Sequence, residues 1–389
     1  MTPFANFAYF GILLYAVIPT LALGIAGRAN RRWAFLVTLA FFIGQFFTKL
    51  HLSPHTSLPT IAVVSGYGGY EWTIAIGFLH ARRRSKSNAR FYAVLLFALA
   101  PLAATKFLPL LTPGNAFGFL GISYVTFRVL DVLFCIHDGL ITSLPPSQFF
   151  TYTFFFATLS AGPIDRYRRF DKDWKRTRTR EDFLIDLDAA IERVFRGFLY
   201  KFILATLIKR FWIDRAAGGS LADTLSYMYG YSLYLFFDFA GYSAFAIAFS
   251  RLFGIHTPEN FDRPFLAHNI RDFWNRWHIT LSFWFRDHVY MRFLLAAAKG
   301  KWFKGDRVAP YLGLLLSFGL MGLWHGTELH YLIYGAYHAC LLITYDVLSR
   351  WNKQKKWWGT GRWWRAASIF VTGQLICFGF LIFSGRLGP

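Results

Sequence analysis

Apolar runs of spanning length recur through this chain, and they leave few folds open to it. A bilayer core is about 30 Å thick, and a helix needs about 20 apolar residues to cross it. Residues 6–27, 91–111, 221–253 and 366–383 each supply such a run. Charged residues make up only 16% of the 389, against about a quarter in an average soluble domain. The expectation is an all-α polytopic membrane protein, with residues 1–389 forming one membrane domain and no soluble one.

Charge then orients the spans. Lys and Arg number 42 against 21 Asp and Glu, a net charge of +21. In a soluble chain such an excess points to nucleic acid. Here it marks cytoplasmic loops and contact with anionic lipid headgroups, and a share is left for an acidic partner protein. No nucleic-acid partner is expected. Arg28, Arg31 and Arg32 after the first run put the N-terminus outside, and residues 80–90 and 166–180 read as cytoplasmic. Residues 51–59 carry no Arg and read as an outside loop between the runs 33–48 and 61–79. The first run lacks a basic leader and a small-residue cleavage site before Gly24, so it is read as a retained span. Cys135, Cys340 and Cys377 lie in apolar stretches with no ligand spacing and are read as inert.

Several segments depart from the plain spanning pattern. The run from Phe117 holds Arg128 and Asp131, which share a helix face at a spacing of three and read as a structural intramembrane ion pair. Residues 149–160 are too short for a crossing and suit a re-entrant or interfacial helix. Thr179 and Asp182 resemble a helix start, and apolar residues recur from Leu184 to Phe198 at helical spacing. Asp238 interrupts the run 221–253 within FFDFAGYS and needs a partner or a cavity. Residues 351–365 form a basic, tryptophan-rich belt.

Residues 273–292, FWNRWHITLSFWFRDHVYMR, are the least ordinary part of the chain. They carry too much charge for a lipid-facing helix, where each charge costs kilocalories, and too many aromatics for a water-facing surface. The stretch must line a protein interior or a watery cavity near a membrane surface. One span later comes Leu323-Trp324-His325-Gly326. Most of the eleven histidines have ordinary settings: His51, His55, His80 and His256 fall in loops or interfaces, and His330 and His338 suit polar contacts between helices. His278 and His325 differ, sitting at apolar depth in Trp-rich settings beside Asn275, Arg276 and Asp287.

Two such histidines fit general-base catalysis. Metal binding fits less well, since no Cys supports the pair, and no GxSxG elbow supports a serine nucleophile. A neutral imidazole can take a proton from a hydroxyl that attacks an activated acyl group, and burial keeps the ring neutral. The developing oxyanion needs a donor; Asn275 and Arg276 are candidates for that or for orienting a histidine. Asp287, Trp324 and Asp238 complete the candidate substrate-contacting set.

FFDFAGYS, TPENFDRPF, FWNRWHITLSFWFRD and LWHG together resemble the membrane-bound O-acyltransferase (MBOAT) superfamily. With GISYVTFRVLD, SAGPIDRYRRF and the MRF after Tyr290, the chain resembles its DltB branch, which moves D-alanine onto teichoic acids in the bacterial envelope. The resemblance covers nearly the whole chain and implies a ring of about 11 transmembrane helices, with re-entrant and interfacial helices, a central funnel and a tunnel. It implies that His325 is the catalytic base and His278 the second essential histidine. It implies no bound cofactor: the donor is D-alanine on the 4'-phosphopantetheine thioester of a small acidic D-alanyl carrier protein, which docks on the cytoplasmic face. The acceptor is a hydroxyl of teichoic or lipoteichoic acid, or of a small relay peptide.

An acidic carrier bearing a phosphate needs a cationic and apolar dock. Arg292, Lys299, Lys301, Lys304 and Arg307 lie among Phe293, Leu294, Leu295, Trp302 and Phe303 and fit that need, with Arg307 or Lys304 as the contact to the phosphate. An ordinary positive-inside loop is the bland alternative. The expected activity is D-alanyl transfer in a multi-pass bacterial cell membrane. The other readings are a polysaccharide O-acetyltransferase of the same superfamily and, from a different class, a transporter or flippase.

Overall fold

Long apolar runs become long helices. A computed structural model of the chain describes residues 3–28, 30–47, 49–53, 56–111, 118–216 and 218–388. Thr48, His55 and Phe117 lie outside the described residues. The chain packs as two compact units, one formed by Met1–Arg196 with Tyr242–Pro258 and one by Gly197–Gly241 with Glu259–Pro389. Among the described residues, six helices are long and apolar enough to cross a membrane. The others are shorter or more polar, so length and composition alone yield fewer spans than the ring of about 11 that the resemblance implies.

The first unit begins with α1 (Phe7–Ile25) and α2 (Arg31–Phe46). A two-stranded antiparallel hairpin follows, β1 (Lys49–Ser53) with β2 (Thr56–Pro59), a small exception to an all-α reading. Then come α3 (Thr60–Arg84) and α4 (Asn88–Leu111). The core is α5 (Ile122–His137), buried along nearly its whole length. Arg128 and Asp131 on α5 take different partners. Arg128 is fully buried and donates to the carbonyls of Tyr152, Thr153 and Thr158. Asp131 binds Arg166 at 2.9 Å and accepts the backbone N–H of Tyr167. The sequence pairs the two residues with each other; the fold uses them to fasten a broken segment that has carbonyls to satisfy.

That segment is the short run. α6 (Pro146–Phe154) has nine residues and ends in a single 3-10 turn, Phe156–Thr158. α7 (Tyr167–Lys175) carries the basic stretch. At α8 (Arg180–Gly197), Thr179 and Asp182 exchange hydrogen bonds, each side chain accepting the other's backbone N–H. This is a reciprocal N-terminal cap.

In the second unit the helical course continues with wider winding at Phe198–Leu204, a turn of α9 (Ala205–Ile208), and wide winding again at Lys209–Ile213. α10 (Leu221–Leu252) begins here. Asp238 on α10 binds Lys201 at 2.5 Å. Gly241 lets that contact form, since a Cβ there would lie 2.7 Å from the Lys201 backbone nitrogen. The anomalous stretch is not one helix. It is α11 (Ile270–Trp274), a break, α12 (Ile279–Phe285), a wide turn over Arg286–Tyr290, and α13 (Met291–Gly300). α14 (Val308–His325), α15 (Leu329–Lys355) and α16 (Arg362–Phe383) complete the unit. α15 runs on to Lys355, taking in part of the tryptophan-rich belt.

Candidate active site

The break between α11 and α12 positions the first histidine. The backbone of the preceding connector pairs with it: Asp262 N–H donates to the Arg276 carbonyl and Ile279 N–H to the Asn260 carbonyl, both at 3.0 Å. This pairing holds His278 at φ 42°, ψ 50°, the left-handed region that side chains other than glycine enter at a cost. The ring is then fixed from the side. His278 Nδ1 lies 3.1 Å from Asn260 Oδ1, and the same oxygen accepts the Thr280 hydroxyl at 2.9 Å. An amide oxygen only accepts, so Nδ1 is the protonated nitrogen and the neutral ring keeps its lone pair on Nε2. Phe239 packs edge-on at 4.7 Å.

The second histidine ends a helix. His325 is the last residue of α14, and Gly326 after it is extended. A Cβ at Gly326 would lie 2.3 Å from both Glu328 Oε2 and the Tyr331 ring, so the chain turns tightly there. The His325 ring contacts Trp324 at 4.5 Å and Phe383 at 4.9 Å, with Tyr334 at 6.3 Å. His278 and His325 both line one cavity of about 60 Å³, walled otherwise by apolar and aromatic side chains that include Phe239, Trp277 and Tyr334.

A larger cavity of about 390 Å³ also belongs to this unit. Its lining is polar in places: Arg271, Arg286, Arg350, Asp346 and Tyr311 contribute, with Asn275 and Ser282. Asp346 organises them, accepting from Tyr311 at 3.0 Å and Arg350 at 2.8 Å and pairing with Arg271 at 3.3 Å. Trp274 and Met321 line both cavities.

The remaining sequence candidates divide. Asn275 lines the larger cavity, away from the histidines. Arg276 is bound by Asp272 at 2.7 Å and Asp262 at 3.5 Å and lines neither cavity. Asp287 pairs with Arg286 on the wide turn, and Asp238 with Lys201; neither lines the histidine cavity, although Leu235 and Phe239 of α10 do. Trp324 lies tilted against His325 and stands 6.5 Å from His278. Lys299, Lys301, Lys304 and Arg307 are exposed, and Arg292 is half-buried. Leu295, Trp302 and Phe303 are exposed among them. His338 is not the polar inter-helix contact that its spacing predicts: it is fully buried, with neither ring nitrogen hydrogen-bonded among the described residues. Sequence reasoning also passed over Asn260, Trp274 and Asp346.

Paired imidazoles in a small apolar chamber suit general-base chemistry, and comparison with known proteins gives the class of the chain. Residues 122–382 match the model of the membrane-bound O-acyltransferase family, and the chain belongs to that family. It is a multi-pass membrane enzyme of the acyltransferase class. Among its relatives is the teichoic acid D-alanyltransferase of Bacillus subtilis (strain 168), 40% identical over 399 residues, covering 99% of this chain and 98% of that one. The protein of the same description from Lacticaseibacillus rhamnosus is 37% identical over 100% of this chain and 98% of its own length. A probable alginate O-acetylase AlgI of Pseudomonas syringae pv. tomato is 32% identical over 57% of this chain and 42% of its own.

Proposed function

We propose that this enzyme moves a D-alanyl group from the 4'-phosphopantetheine thioester of a cytoplasmic carrier protein to a hydroxyl of teichoic acid, directly or through a small relay peptide, in a bacterial cell membrane. The observation that carries the reading is the placement of His278 and His325 on the walls of one small apolar chamber. The full-length similarity to D-alanyltransferases supports the acyl group and the acceptor class.

The chemistry follows from the imidazoles. The hydroxyl oxygen attacks the thioester carbonyl carbon while His325 takes the hydroxyl proton. The C–S bond then breaks, the thiolate takes the proton from the imidazolium, and an ester and a free thiol remain. His278, with Nδ1–H given to Asn260, offers a second neutral nitrogen in the same chamber. The cationic and aromatic surface from Arg292 to Arg307 suits an acidic carrier, and its charges steer the encounter.

The test is reconstitution in vesicles with D-alanyl carrier protein, a teichoic acid acceptor and, in a parallel arm, acetyl carrier protein. Thioester loss and ester formation are followed together. The D-alanyl arm should turn over and the acetyl arm should lag. His325→Ala should abolish transfer while the protein still inserts and folds, and His278→Ala should impair it severely. Normal D-alanine incorporation by His325→Ala would remove the catalytic assignment; preference for the acetyl arm would move the enzyme to the O-acetyltransferase reading.

A further inference from the structure

The two cavities of the second unit share a wall. Trp274 on α11 and Met321 on α14 border the larger cavity on one side and the histidine chamber on the other. A group passing through that wall must displace one of these side chains.

Trp274 is peculiar in a second respect. It is 7% exposed, and its indole N–H has no acceptor among the described residues. Beside it stands His338, 0% exposed, with both ring nitrogens unengaged among the described residues. The two rings meet edge to face, centroids 5.1 Å apart and planes at 86°. An indole N–H only donates, and a neutral imidazole always has one nitrogen that accepts. Two complementary buried groups, adjacent and both unspent, are unusual in a folded interior.

The pair is also unequal in freedom. His338 is held by Tyr334 at 4.5 Å, by Tyr337 at 5.3 Å and by the bare backbone of Gly379, where a Cβ would lie 2.6 Å from Nε2. Trp274 is packed by Phe318 at 5.0 Å and Phe273 at 5.6 Å, but it also borders both cavities. His338 borders neither, so the tryptophan is the member with cavity to turn into.

We propose that Trp274 is a swinging partition between the two cavities, and that His338 is the catch that holds it open by accepting the indole N–H once the ring has left the passage. His338 is thus a positioning residue. It touches no reacting atom and acts on the reaction only through Trp274. The inference rests on the proposed function in one respect: what passes the partition is the acyl group and its arm. With the partition closed, the histidines are sealed from the larger cavity between turnovers, which limits hydrolysis of the thioester.

The test measures passage without any donor. Leu281 is 1% exposed and lines the histidine chamber, so Leu281→Cys reports on it. The exposed Cys340 is removed as Cys340→Ser. Methyl methanethiosulfonate is added to the full-length protein in detergent, and modification of residue 281 is followed by peptide mass. His338→Phe keeps a ring of similar size and removes the acceptor. It should slow labelling about tenfold, the scale of one hydrogen bond. His338→Gln retains an acceptor and should label near the parental rate. Trp274→Ala should label faster than the parent, and adding His338→Phe to it should change nothing. Parental labelling by His338→Phe overturns the proposal. So does an equal slowing in the Trp274→Ala background, which marks a merely structural histidine. If labelling behaves as expected but no D-alanyl transfer is found in the vesicle assay, the partition stands and the proposed substrate falls.

Discussion

His278 occupies a left-handed backbone conformation that its side chain alone would avoid, at a cost of about 1 kcal/mol. The connector exacts that conformation, and in return the ring meets Asn260. Asn260 is therefore expected to matter as much as a residue on the helix itself. Asn260→Leu should lower turnover at saturating donor by about tenfold or more, because the imidazole loses the partner that fixes its tautomer. Asn260→Asp, which still accepts from Nδ1–H, should recover part of the loss. Turnover by Asn260→Leu equal to the parent would show that His278 needs no orientation. The two histidines were legible in the sequence because charge and aromatics are so rarely mixed at apolar depth. Asn260 was not, because a polar, proline-bounded connector reads the same whether its amide faces water or a buried ring. Arg276 shows the opposite case: its motif says nothing of its carboxylate neighbours, and the fold sets the guanidinium against Asp272 and Asp262.

At the scale of elements, helices were easier to read than their interruptions. Most long apolar runs returned as helices within a few residues of their sequence bounds. The break between α11 and α12 was hidden, because no glycine or proline marks it; the cause is backbone pairing with a connector distant in sequence. Polar staples between elements were equally silent. His256, after α10, lies 2.9 Å from Asp186 of α8 and 3.6 Å from Asp173 of α7. Arg178 and Arg251 share the Asp186 carboxylate. Hydrogen bonds donated to Asp173 and then to Asp186 push His256 from an ordinary 6.5 up to about 9, against the opposing effect of burial. A raised value in the folded protein means that its stabilisation is complete below about pH 6.5 and is lost as the pH climbs through about 9. The thermal midpoint of the parent should therefore fall more steeply between pH 7 and pH 10 than that of His256→Phe, which should be less stable at pH 7. Parallel curves for the two proteins would show that the staple carries no stability.

Over the whole molecule, the excess of basic residues was plain from the sequence, and its division into roles was not. A cation beside a lipid headgroup and a cation at a protein dock have the same letters. The surface from α13 to Arg307 combines exposed cations with exposed Trp302 and Phe303. Reversing three of those charges, as Lys301→Glu with Lys304→Glu and Arg307→Glu, should raise KM for the carrier-linked donor about tenfold at low salt and less at high salt. Turnover of a short D-alanyl pantetheine thioester should stay unchanged. If both donors lose equally, the surface is not a dock. The larger cavity was beyond sequence reading for a geometric reason. Its polar lining is joined by pairs such as Arg271 with Asp346 and Tyr311 with Asp346, 75 and 35 positions apart.

The small volume of the histidine chamber bears on errors made elsewhere. With the partition closed, about 60 Å³ is room for a few water-sized groups beside the two imidazoles. A carrier loaded with a bulky amino acid could dock through the same cations and fill the larger cavity, yet its carbonyl would stop short of the hydroxyl. Under the proposed function, such a mischarged carrier would give no wrong product. It would occupy the enzyme as an inhibitor, and a loading mistake would register as lost rate instead of as a miswritten envelope.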